Sequence, residues 1–241
     1  MRTTALPSLL EVLGRNFSYR NKQVRLYELA TVYAPDDNAP LAQESLKISL
    51  GAYGGGTDFF TFKGAAEALL AGLGVKELTF TAASSESAYH PGRCARIISG
   101  DRILGVLGQV HPLTAENFGM DCPVYAAELD FAAILKARAA EALYQPLPRF
   151  PAVSRDIAVV CDAATTVAAL EACIRRSAGG LVKGVELFDV YTGAPIPEGK
   201  KSVAFSLSLR ADDRTLTDRE ADEDVRGILS GLEAELGAVL R

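Results

Sequence analysis

Histidine is scarce in this 241-residue chain, and cysteine is scattered. The two histidines, His90 and His111, each precede a proline, and no two of Cys94, Cys122, Cys161 and Cys173 share a C-x-x-C spacing. Tetrahedral zinc sites draw on clustered Cys and His, so no metal site is expected. The thiols read as reduced, mostly buried cysteines of a cytosolic protein. Long apolar runs are lacking too; none approaches the roughly 18–20 residues that a membrane helix needs. The opening residues lead into an amphipathic stretch, not a signal peptide. The expected compartment is the cytoplasm, with no membrane partner. Positive charge is not in excess: the net charge is −5. Any nucleic-acid contact must therefore be made by a local patch. Low-complexity segments and solenoid-length repeats are absent. What is present, 49% hydrophobic and 23% charged residues, is ordinary for a globular protein of one or two domains and argues against disorder.

The clearest break in composition is Ala142–Pro151, where Pro146, Pro148 and Pro151 favour extended chain. It divides an expected domain 1–145 from a second, 147–241. The first domain opens with a helix whose stripe is Leu6, Leu9, Leu10, Leu13 and Phe17. That stripe is wide for a short terminal helix; we expect it to be partly exposed and to drive self-association or capture of a partner subunit, the alternative being a core helix of a monomer. Strands are predicted at 24–33, 46–53, 78–81, 95–99, 103–110 and 124–129, with helices at 60–73 and 131–142. Pro35-Asp36-Asp37-Asn38 and Gly54-Gly55-Gly56 supply turns. Hairpins mixed with helices indicate α+β architecture on a largely antiparallel sheet.

The second domain reads as strand 155–161, a helix capped by Thr165 or Thr166, strand 182–191, strand 202–209, a helix opened by the capping box Thr217-Asp218-Arg219-Glu220, and a short strand 237–240. This order is β-α-β-β-α-β, the ferredoxin-like motif. Both helices cover one sheet face and leave the other open. The third strand alternates Val203, Phe205, Leu207 and Leu209 with Ser202, Ala204, Ser206 and Ser208. Small polar residues on an open sheet let planar groups approach, as RNA bases do; a merely solvated face has the same pattern. The second strand does not alternate cleanly, so a bulge or twist is expected and its faces stay unassigned.

Four blocks carry a resemblance: Arg149–Ala158, Val185–Tyr191, Gly199–Phe205 and Arg214–Asp218. They resemble the ferredoxin-fold anticodon-binding domain of the phenylalanyl-tRNA synthetase family. Leu6-Pro7-Ser8-Leu9-Leu10, Arg25-Leu26-Tyr27-Glu28, Tyr89–Arg93 and Leu104–Pro112 make the first half similar to the adjoining region of that family's bacterial β subunit. Such β subunits are far longer, and Met1 aligns with an interior position. The chain is therefore expected to be the C-terminal portion of a β subunit, as an expressed fragment or the product of a split gene. The resemblance implies that 1–145 is a catalytic-like module of class II synthetase fold without an active site, and that 147–241 reads an anticodon. It implies support for attaching phenylalanine to tRNA(Phe), through binding of the anticodon stem-loop and scaffolding of a catalytic α subunit in an (αβ)2 heterotetramer. ATP and Mg2+ would serve the complete enzyme, with no cofactor in this chain. The helix stripe Leu6, Leu9, Leu10, Leu13 and Phe17 would lie at the subunit interface. The alternative is a stand-alone protein-interaction module that no longer binds tRNA.

The residues argue independently against catalysis here. Gly51–Gly56 is glycine-rich, but no arginine follows it before Arg93 and no P-loop lysine accompanies it. Arg25 and Glu28 lie three apart on a strand and face opposite sides. His111-Pro112 reads as a helix start. No catalytic residue is expected. For RNA, the charge balance from 149 to 210 is +2 and from 211 onward −5, which predicts acidic charge around the last helix, away from the open face. Arg155, Lys200, Lys201 and Arg210 flank strand ends and could meet phosphates. Phe188 and Tyr191 could stack bases, and Asp156 and Asp189 could accept from base donors.

Overall fold

The apolar spacing of the first residues becomes helix α1, Leu6–Ser18, with Pro7 in its first turn. In this computed structural model residues 1–36, 38–139, 144 and 147–241 are described, and the chain divides into units Met1–Leu143 and Tyr144–Arg241. After α1 come β1 (Gln23–Ala34), β2 (Gln43–Gly54), α2 (Phe59–Gly72), β3 (Leu78–Ala82), β4 (Tyr89–Ser99), β5 (Arg102–Val110), α3 (Pro112–Asn117), β6 (Val124–Asp130) and α4 (Phe131–Ala137). The strands form one antiparallel sheet in the order β1-β2-β6-β5-β4-β3. The helix predicted to reach Ala142 ends at Ala137. Ala140–Leu143, Gln145 and Pro146 of the expected helix end and linker, and Asp37 of the first turn, lie outside the described residues.

The sheet has a core on each face. On one, Leu6, Leu9, Leu10 and Leu13 pack with Tyr53, Val110, Val124 and Ala126. On the other, Phe62, Ala66 and Leu70 of α2 and Ile134 of α4 pack with Ile48, Ile97, Leu107 and Leu129. The expectation of an exposed stripe on α1 is therefore corrected. Leu6, Leu9, Leu10 and Leu13 are buried in their own unit and Phe17 is half-buried, edge-on to Tyr53 at 5.7 Å. The stripe is wide because the sheet beneath it is wide. Gly51 lets the helix down onto β2: a Cβ there would lie 2.8 Å from a Leu13 methyl. The glycines that follow, Gly54, Gly55 and Gly56, all have positive φ and turn the chain between β2 and α2.

The second unit runs β7 (Val153–Asp162), α5 (Val167–Ser177), β8 (Val182–Tyr191), β9 (Lys200–Leu209), α6 (Asp218–Leu236) and β10 (Val239–Leu240). The antiparallel sheet has the order β10-β7-β9-β8, the ferredoxin-like arrangement. Thr166 caps α5, Thr217 and Glu220 complete a reciprocal capping box on α6, and Gly237 ends α6 in the left-handed region. Ile157, Val159, Cys161, Val203, Phe205 and Leu207 meet Leu170, Ile174, Ile228 and Leu232 in one core. Among the described residues no helix is long and apolar enough to cross a membrane.

Candidate nucleic-acid interface

Side chains directly opposite in an antiparallel pair share a face, so the register assigns the sheet face away from α5 and α6. Across β7, β9 and β8 the rows are Ser154–Ser208–Gly184, Asp156–Ser206–Glu186, Ala158–Ala204–Asp189 and Val160–Ser202–Tyr191. The centre strand contributes only serine and alanine. The outer strands contribute three carboxylates and one phenol. The result is a shallow trough with a floor of small residues and hydrogen-bonding groups along its rims.

The trough depends on an irregularity in β8. Leu187 pairs with Phe205, and the next pair is Asp189 with Ala204. Phe188 is the extra residue of a β-bulge and is 57% exposed. Val185 and Leu187 before the bulge, and Val190 after it, share the helix side, while Glu186, Asp189 and Tyr191 share the trough. This is why simple alternation could not assign the strand.

Tyr191 is fixed in place. Its hydroxyl donates to the Ala194 carbonyl at 2.8 Å, in space that a side chain at Gly193 would crowd. The Arg241 guanidinium lies 5.9 Å from the ring centroid, within cation–π range. The Arg241 backbone N–H is anchored on the Ala158 carbonyl. Nothing in the local pattern around Arg241 signalled this contact, because the two residues lie on opposite edges of the sheet. Glu186 was likewise missed; its pairing with Ser206 identifies it.

Two of the expected phosphate ligands are corrected. Arg155 pairs in register with Leu207 on the helix side, and its guanidinium donates to Asp222 at 2.9 Å and Asp218 at 2.7 Å on α6. Lys201 pairs with the buried Cys161 and shares that side. Lys200 does face the trough side, at its end, where its ammonium holds Asp162 at 2.6 Å. Arg210 follows β9, is half-buried, and helps lower the Asp212 carboxyl, whose main partner is Lys183. The expected segregation of charge also fails. The acidic run is on α6, but Asp156, Glu186 and Asp189 put carboxylates on the open face as well. The trough suits base edges with N–H donors better than a run of phosphates, with cations confined to its margins.

An apolar cavity of about 450 Å3 between β1, β2 and α2 has Arg25 as its one ionisable cation. His90 and His111 accept backbone N–H groups of Gly92 and Leu113 at their Nδ1 atoms and act within turns.

Residues 1–131 match the family of the phenylalanyl tRNA synthetase beta chain CLM domain, and residues 148–241 match the ferredoxin-fold anticodon binding domain. Over its full length the chain is 38% identical to the phenylalanine–tRNA ligase beta subunit of Clostridium acetobutylicum, 40% to that of Clostridium tetani and 42% to that of Moorella thermoacetica. It spans 30%, 30% and 31% of those subunits, respectively.

Proposed function

The chain belongs to the phenylalanyl-tRNA synthetase beta-chain family, and we propose on that premise that residues 147–241 bind the anticodon stem-loop of tRNA(Phe) in the trough. Residues 1–145 serve as a catalytic-like module that supports a catalytic α subunit within an (αβ)2 assembly in the cytoplasm. ATP and Mg2+ belong to the complete ligase and act in the α subunit. The observation that carries the RNA reading is the trough itself: small side chains on its floor, Tyr191 to stack a base, and Asp156, Glu186 and Asp189 to accept from base N–H groups. The ring is already oriented before any base arrives, which spares ordering cost on binding. Phe188, exposed at the bulge, and Lys200 and Arg210, at the ends of β9, are margin contacts.

The α subunit needs a surface other than the buried stripe of α1. The outer edge of β1 supplies one. Its pairing with β2 is unbroken over 12 residues, no second strand pairs with its other edge among the described residues, Arg2 covers only the Thr31–Tyr33 end of that edge, and Tyr27 and Leu29 are exposed. A long regular edge of this kind is normally covered.

Titration of the chain with anticodon stem-loops tests the RNA reading. Tyr191→Ala is expected to weaken binding by about 1–3 kcal/mol, the worth of one stacked base. Asp189→Asn is expected to change which anticodon base is preferred more than overall affinity, because an amide donates as well as accepts. If both variants bind like the parent, the trough is not the RNA site, and the exposed Leu187, Phe188 and Val190 of edge strand β8 favour a protein-interaction module.

A further inference from the structure

A second polar site lies in the first unit, under the N-terminal end of α1, and is independent of the RNA reading. In-register pairs Glu28–Ser49 and Ser49–Glu128 set these three residues side by side across β1, β2 and β6, with Lys47–Asp130 the next pair on that face. Most charges here are matched: Arg2 with Glu28 at 3.0 Å, Lys47 with Asp130 at 2.7 Å and Arg96 with Glu86 at 2.8 Å. Glu128 is the exception; among the described residues it has no cation partner. Its Oε2 accepts from the Thr4 hydroxyl at 2.6 Å and the Ala5 N–H at 2.7 Å, and its other oxygen accepts no hydrogen bond among the described residues.

Two hydroxyls in this region also lack partners among the described residues. Ser49 is fully buried with an unsatisfied Oγ. Tyr89 is 6% exposed and lines, with Glu128, a cavity of about 430 Å3. Burial first, then the Glu128 charge, raises the Tyr89 phenol. The cavity's other walls include Leu6, Ala88, Ile103 and Val106, together with Lys47, Glu86 and Asp130, whose charges are already matched in the ion pairs above. The Ser49 Oγ lies outside the cavity, whereas Tyr89 and Glu128 face it with hydrogen-bonding capacity that no described residue fills. A metal ion does not fit, since among the described residues no three Asp, Glu, His or Cys side chains are grouped to hold one. An uncompensated carboxylate, a phenol oxygen and an aliphatic wall suit an organic cation.

We propose that this cavity binds an ammonium or guanidinium group on an aliphatic stem, its N–H groups donating to the free Glu128 oxygen and the Tyr89 hydroxyl while the stem packs on Leu6, Ile103 and Val106. The source is either a free alkylamine or a basic side chain of a polypeptide.

The test uses the whole chain with labelled tyrosine rings and isoleucine methyls, titrated at constant ionic strength with n-butylammonium, n-butylguanidinium, Nα-acetyl-lysine methylamide and the uncharged n-butanol. The expected result is a saturable shift at Tyr89 and Ile103 with the cations only. Tighter binding of the lysine derivative than of n-butylammonium identifies a polypeptide side chain as the source; equal or weaker binding identifies a free amine. Glu128→Gln keeps an acceptor for Thr4 and Ala5 and should weaken binding at least about tenfold, as expected for loss of a charged hydrogen-bond partner. Tyr89→Phe, read at Ile103, gives the same direction in a variant that leaves the α1 contacts of Glu128 untouched. Equal shifts with n-butanol, shifts that do not saturate, or parental affinity in Tyr89→Phe would overturn the proposal.

Discussion

Tyr191 is held by a hydrogen bond on its hydroxyl and faced by the Arg241 guanidinium, so the two residues should differ in what they contribute. Arg241→Ala removes a positive charge beside the Tyr191 ring. It is expected to lower the salt slope of stem-loop binding by about 0.7, the value of one phosphate contact on single-stranded RNA. Lys201→Ala should leave that slope unchanged, because its side chain shares the buried side with Cys161. Salt titrations of both variants decide this. Asp156, Asp189 and Tyr191, singled out in the sequence, share the open face of the sheet. The placement of their neighbours was not legible. Arg155 and Lys200 look alike in a string of letters, but only one faces the trough side. The difference is set by register, and by the two carboxylates of α6 that lie 63 and 67 residues beyond Arg155.

At the scale of elements, α1 was legible as a helix with a stripe, and its period identified the buried residues. What covers the stripe was not legible, because amphipathicity says that a face is buried and not against what. Burial by its own sheet makes a definite demand. Leu13→Ala is expected to destabilise the first unit by about 2–5 kcal/mol, measured by chemical denaturation. Its partner Gly51 reads in sequence as part of a glycine-rich turn, yet its role is close approach of helix and strand. The start of α6 carries a pH dependence. Glu220 is depressed to about 2 by the Thr217 backbone N–H first, then by Arg214 and the Thr217 hydroxyl. Unfolded, the carboxyl titrates near about 4.3. A carboxylate lowered by folding contributes stability above the unfolded value and loses it as pH falls toward the folded one. Hydrogen exchange in the first turn of α6 should therefore speed up as the pH falls from about 4 toward about 2, relative to that of α5, after correction for intrinsic rates. Glu220→Gln, which cannot titrate, should remove that difference.

For the whole molecule, the chain spans 30% of the length of the Clostridium acetobutylicum subunit it matches, and its proposed work is cooperative with other parts. Purified alone it is expected to support no ATP–pyrophosphate exchange. The cognate α subunit should be captured by the chain, and Leu29→Lys, which puts a charge on the exposed edge strand β1 without touching a core, should reduce that capture in a sedimentation assay. The ferredoxin-like order was legible from caps and alternation. The order β1-β2-β6-β5-β4-β3 was not, since β2 and β6 pair across some 70 residues of intervening chain and no local signal specifies a partner so distant.

The bulge in β8 gives this strand an unusual tolerance. Read without Phe188, its residues run Val185, Glu186, Leu187, Asp189, Val190, Tyr191 and alternate without error between the helix side and the trough. From Val185 onward Phe188 is the phase slip in a periodic signal; an earlier one lies between Val182 and Gly184. A chain that lost this one codon would regain simple period-two order and keep its tyrosine in the trough. Losing the codon for Val190 instead would turn the tyrosine onto the other side of the sheet. Insertions and deletions along this strand are thus not equivalent, and the bulge marks the place where the gene can change length while the site keeps its composition.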